Sequence, residues 1–145
     1  MEKHAAGVSS LGFYTLRQLR RVRQSLDTDA IKTLVHAFVT TRVDYCNGAF
    51  AGSPDYVTDR LQHVLDAAAR LVSGTRKCDR GRSSLLHDDL HWLDVPQRIQ
   101  FKLDVTVRRC LQNTAPVHLM DCCSRVADTV GMCGLYYKKK MKSLK

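Results

Sequence analysis

Glutamate is almost missing from this chain: of fourteen acidic residues only Glu2 is a glutamate, and the other thirteen are aspartates. No physical reason for that bias is evident. Other scarcities are more informative. Three prolines and eight glycines in 145 residues exclude a collagen-like or Pro/Gly-rich disordered chain. No apolar run approaches the roughly 20 residues that a membrane-spanning helix needs. Behind the opening Met-Glu-Lys-His no apolar core of signal-peptide length follows, so an intracellular, reducing compartment is expected. The six cysteines, at 46, 78, 110, 122, 123 and 133, are therefore read as free thiols. None forms a C-x-x-C pair, and the adjacent Cys122 and Cys123 are poorly placed to chelate one zinc ion.

Catalytic signatures are also missing. There is no G-x-S-x-G elbow, no G-x-G-x-x-G turn and no P-loop, which removes the commonest nucleophile and phosphate-cradle patterns. The nearest approach to a metal motif is HDDLHWLDV, residues 87–95. His87 and His91 stand four apart with Asp88 after the first, one methylene short of the H-E-x-x-H zinc pattern. A metallohydrolase also needs a third ligand and an open coordination position, and Val95-Pro96 interrupts helix just beyond His91. The stretch is read instead as a helix-helix corner, with Trp92 packed inward and the aspartates near helix ends. No metal and no cofactor are expected. His36 and His63 sit beside apolar stripes and are read as boundary residues.

What the chain does have is positive charge, net +9, in three blocks. Residues 1–26 carry +4, 70–82 carry +4 and 138–145 carry +5, while the remainder is mildly acidic. Such clustering is the electrostatic footprint of a nucleic-acid contact surface.

Apolar spacing predicts helix nearly throughout. Leu16, Leu19, Val22 and Leu26 form one stripe, with Arg17, Arg20, Arg21 and Arg23 off it. Asp27 or Thr28 caps a second helix, in which Ile31, Leu34, Val35, Phe38 and Val39 recur at helical spacing until Asn47-Gly48 supplies a positive-φ turn. Ser53-Pro54-Asp55 starts a third, with Ser53 as cap and Pro54 at the first helical position. Its buried stripe is Val57, Leu61, Val64, Leu65, Ala68, Leu71 and Val72, ended by Gly74. The run Ala67-Ala68-Ala69 points to a close helix-helix approach. SGTRKCDRGRSS, residues 73–84, is a basic loop carrying Arg76, Lys77, Arg80 and Arg82, followed by a short helical stretch at 85–90. A further helix starts at Asp94 or Val95 and runs through Ile99, Leu103, Thr106, Val107, Cys110 and Leu111. Ala115-Pro116 opens a last short helix ending near Cys122-Cys123. The expected architecture is all-α, a bundle of four or five helices with short loops spanning 1–123, and residues 124–145 form a poorly ordered basic tail ending KKKMKSLK.

Several of these stretches, in order, resemble a known family. LVHAFVTTRVDYCNGAF (34–50), SPDYVTDRLQHVLDAAARLVSGTRK (53–77), LHWLDVPQRIQFK (90–102) and CLQNTAPVHL (110–119) resemble the C-terminal helical region of reverse transcriptases from non-LTR (LINE-type, jockey/CR1-like) retrotransposons. FYTLRQLRRVRQSL (13–26) fits the same region. The family more often has L-H-W-L-P-V where this chain has Asp94, a residue that can cap the helix after it.

The resemblance covers the thumb and its downstream extension, without fingers or palm. It implies an all-α thumb that grips a template-primer duplex through phosphates. The palm aspartates and the Y/F-A-D-D turn are lacking, so the protein is expected to be non-catalytic. The expected partners are RNA, DNA or an RNA–DNA hybrid, held weakly and without sequence preference by Arg17, Arg20, Arg21, Arg23, Arg76, Lys77, Arg80 and Arg82. Self-association through a former interdomain surface is the other expectation. As an alternative, the chain is a helical protein-interaction module or a relic reading frame without a selected function.

Overall fold

A computed structural model describes residues 2–45, 47–75, 90–121 and 123. Every regular element among them is helical, so the fold is all-α. Helix α1 is Glu2–Val22, α2 Thr28–Val35, α3 Thr41–Asp44, α4 Asp55–Ser73, α5 Val95–Leu111 and α6 Val117–Met120. Short 3-10 turns at Arg23–Ser25 and Asn47–Phe50, and a π-helical turn at His36–Thr40, join them. Residues 76–84 of the basic loop expected at 73–84, residues 85–89 of the short helical stretch expected at 85–90, and the tail from 124 lie outside the described residues, and Ser73 still belongs to α4. Two compact units divide the chain, 1–100 and 101–145.

In the first unit α4 is the central element. Eleven of its nineteen residues are buried, including all seven of the stripe read from sequence. A helix buried around most of its circumference needs partners on several sides. Helix α1 lies on one side and α2 with the π turn on another. Leu61, Val64, Leu65, Ile31, Val35 and Val39 are fully enclosed, and each large aliphatic contributes about 1.5–3 kcal/mol of burial.

The closest approach of α1 and α4 lies at Gly12. A Cβ built there meets Val64 Cγ1 at 2.7 Å, so only glycine lets the two helices come this near. Small residues on α1, Ala5 and Gly12, fill the interface at its N-terminal half, and Leu16 and Leu19 do so at the other end. Val22, placed by sequence on the same stripe, is 46% exposed. Each three-residue step falls about 60° short of a full turn, so the series from Leu16 through Leu19 to Val22 walks off the core face.

The helix ends follow ordinary chemistry with some shifts of register. Asp27 caps α2 by accepting from Ala30 N at 3.0 Å, and Gly74 closes α4 in the left-handed region at φ 71°. Pro54 itself is the N-cap of α4, with no side-chain cap bond, so Ser53 stands outside the helix and Asp55 is its first residue. Asn47 and Gly48 begin a 3-10 turn and neither has positive φ. The Asn47 side chain is buried.

Phe38, expected in the core, is 47% exposed. The reason is the π turn, where Thr41 N–H reaches back to His36 O. That wider turn holds one more residue than an α turn, which brings Val39, Thr40 and Val43 inward and leaves Phe38 outside.

Gln62 joins α4 to the start of α5. Its Nε2 donates to Asp66 Oδ1 (3.0 Å) and Asp94 Oδ1 (3.1 Å), and its Oε1 accepts from Val95 N–H at 2.8 Å. The Asp94 carbonyl accepts the first helical bond from Arg98 N at 2.9 Å, and Gln97 Oε1 receives the Asp94 N–H at 3.1 Å. This is the reciprocal half of a capping box. Arg98 is held twice, to Leu93 O (2.7 Å) and Asp44 Oδ2 (2.9 Å), which ties α5's first turn to the end of α3. In the second unit, Cys110 is buried and Leu103, Thr106, Val107 and Leu111 are half-buried. Cys110 and Cys123 are free thiols.

Candidate nucleic-acid interface

The outer face of α1 is built by helical spacing. Lys3, Gly7, Ser10, Tyr14, Arg17 and Arg21 recur at three- and four-residue steps opposite Ala5, Gly12, Leu16 and Leu19, and all six are exposed. At about 1.5 Å per residue the line is roughly 27 Å long. No acidic residue occurs between Lys3 and Arg23. Glu2, just before, faces Arg60 at 4.0 Å. Arg17 and Arg21 therefore present their guanidinium groups to solvent without a carboxylate partner among the described residues, and Arg21 makes one long contact to Gln18 Oε1 at 3.4 Å. Arg20 is exposed on the flank of the line. An open face of unpaired guanidinium groups suits phosphate, whose oxygens accept two parallel N–H bonds.

Arg23 belongs to a different job. Its Nε donates to Leu71 O (3.1 Å), one terminal nitrogen to Val72 O (3.3 Å) and the other to Leu26 O (3.2 Å). Two of these are carbonyls in the last turn of α4, which lack intrahelical partners and carry the negative end of the helix dipole. The structure thus brings Arg17, Arg20 and Arg21 together on a free surface and turns Arg23 to the C-terminus of α4. Arg76, Lys77, Arg80 and Arg82 lie outside the described residues.

Apolar spacing alone does not place Lys3, Arg42 and Tyr45 at a surface. A signal for Lys3 exists in the sequence, since the line through Arg21, Arg17 and Tyr14 continues backward at helical spacing. It is hidden because the buried face opposite is made of alanine and glycine, which carry no apolar periodicity.

Of the histidine pair His87 and His91 only His91 is among the described residues. It lies outside any helix, exposed, in the left-handed region at φ 53°. Trp92 and Leu90 pack partly buried against Ala69 of α4, and Asp94 heads α5 in keeping with its capping chemistry. Among the described residues no group of three or more His, Cys, Asp or Glu is arranged to hold a metal ion. His36 and His63 are exposed.

No family model, curated protein or solved structure matches the chain.

Proposed function

We propose that this protein is a non-catalytic helical module, resembling the thumb of a non-LTR retrotransposon reverse transcriptase, that binds nucleic-acid backbone weakly and without sequence preference. The observation that carries the reading is the exposed face of α1, with Arg17 and Arg21 at one end and Lys3 at the other and no acidic residue between them. Arg20 flanks it, and the cations at 76, 77, 80 and 82 extend the charge in sequence. Binding of this kind falls steeply with salt, with a slope set by the number of phosphates neutralised.

The test is a salt titration of binding to an RNA–DNA hybrid and to duplex DNA. Replacing Arg17 and Arg21 by glutamine is expected to weaken both complexes alike and to flatten the logarithmic salt slope by about 0.7–0.9 for each phosphate no longer neutralised. Tight binding that ignores salt, or that survives the double substitution unchanged, refutes the reading.

A second reading, a protein-interaction module, is favoured by the exposed Phe101, Val117 and Leu119 of the second unit. Exposed apolar surface of sufficient extent marks association sites. Light scattering over a concentration series tests it, and a monomer at every concentration counts against self-association.

A further inference from the structure

A groove of about 460 Å³ opens beside the cationic face, lined by Lys3, His4, Gly7, Val8 and Leu11 of α1 and by Arg42 and Tyr45 of α3 and its end. We propose that this groove receives an unpaired nucleobase, with Tyr45 as the stacking surface and Lys3 and Arg42 on the flanking phosphates. The proposal rests on the phosphate-binding reading and adds to it a preference for single-stranded segments.

Three observations carry it. First, the lining is chemically two-sided. Val8 and Leu11 are apolar and Gly7 leaves the wall open, since a Cβ there would meet nothing within 4 Å. Lys3, His4 and Arg42 supply basic groups with no carboxylate among the lining residues. The His4 ring is braced against Phe50, centroids 5.9 Å apart and planes 21° from parallel. An apolar pocket rimmed by cations fits a ligand that joins an apolar face to negative charge.

Second, Tyr45 is 67% exposed, a large ring left to solvent beside an arginine. Aromatic side chains placed this way are the platforms on which single-stranded bases stack. Third, Lys3 belongs both to the groove and to the line that runs on to Arg17 and Arg21. Between its charged ends that line passes over the uncharged Gly7, Ser10 and Tyr14, so a strand following it from Arg17 to the groove meets no acidic residue of α1. An acidic peptide matches the cations, but the exposed Tyr45 ring beside them and the acid-free line to Arg17 and Arg21 favour nucleic acid.

The segment that presents Arg42 and Tyr45 is also held at a cost. It contains the π turn, a feature frequent at functional sites. Thr40 Oγ1, Asp44 Oδ1 and Asn47 Oδ1 within it are buried without hydrogen-bond partners among the described residues.

The experiment uses the full chain with a fluorescent aminopurine-containing single strand and a duplex of equal length. Stacking in the groove quenches the aminopurine. Tyr45→Ala is expected to weaken single-strand binding at least about fivefold, to abolish the quench and to leave duplex affinity and thermal midpoint unchanged, while Tyr45→Trp restores both single-strand affinity and quench. If Tyr45→Ala changes nothing while salt-dependent binding persists, the groove assignment falls and the phosphate reading stands. If the wild type binds neither probe, both fall. If an acidic amphipathic peptide binds and loses affinity on Tyr45→Ala while the aminopurine is never quenched, the groove is a peptide site and the proposal is overturned.

Discussion

Replacing Gly12 by alanine sets two effects of similar size against each other. In a helix interior the exchange ordinarily gains about 0.8–1 kcal/mol. Here the new methyl would stand 2.7 Å from Val64 Cγ1, whereas carbon atoms pack at about 3.5–4.0 Å. Val64 is fully buried, and a valine in a helix has essentially one χ1 rotamer, so it cannot swing aside. Either the helices separate by roughly 1 Å or Val64 is strained, and overpacking of this kind costs about 1–3 kcal/mol. The upper half of that range governs because both partners sit on regular helices, and a net loss of about 1–2 kcal/mol is expected after the propensity gain.

Gly7→Ala on the same helix is the control. Nothing lies within 4 Å of its built Cβ, so only the propensity gain of about 0.5–1 kcal/mol remains. Urea unfolding followed by circular dichroism measures both. Opposite signs are expected, with Gly12→Ala lowering and Gly7→Ala raising the midpoint. In the double variant Gly12→Ala/Val64→Ala the losses should fall short of additive by about 1–2 kcal/mol, because the smaller side chain makes room for the methyl. If Gly12→Ala stabilises as much as Gly7→Ala, the close approach of α1 and α4 is wrong.

Three further outcomes follow from named interactions. Arg23→Ala should cost about 1–2 kcal/mol, since it removes charge-assisted bonds to the end of α4, and should leave the salt slope of nucleic-acid binding unmoved; a flattened slope with unchanged stability would return Arg23 to the phosphate surface. Gln62→Ala strands the Val95 N–H, which bonds to the Gln62 side chain. Its expected cost of about 1–3 kcal/mol should come with faster amide exchange at the start of α5, and unchanged protection there would contradict the role given to Gln62. Asp27→Ala removes the acceptor of Ala30 N–H and should cost about 0.5–2 kcal/mol, read by thermal unfolding, whereas Asp27→Ser should recover most of the loss.

Much of the all-α core was legible in the sequence because long apolar side chains at helical spacing have only one way to share a face. The α4 stripe from Val57 to Val72, the Asp27 cap, the Gly74 stop and the Asp94 start of α5 are all local: each depends on spacing or on the backbone needs of one helix end. The outer face of α1 was legible for the same reason, since Arg17 and Arg21 point away from Leu16 and Leu19 by geometry alone.

Tertiary structure decided what spacing could not. The π turn moved Phe38 from the expected core to solvent, because an extra residue in one turn rotates everything after it, and no residue type announces it. Arg23 reads in sequence like its neighbours. Only the meeting of α1's end with α4's end gives its guanidinium carbonyls to bond. The partnership of Gly12 with Val64 joins residues far apart in the chain, and so does the groove formed by Lys3, Leu11, Arg42 and Tyr45. Sequence determined which faces are apolar and which are charged; the packing of one helix against another determined which of those charges remain free.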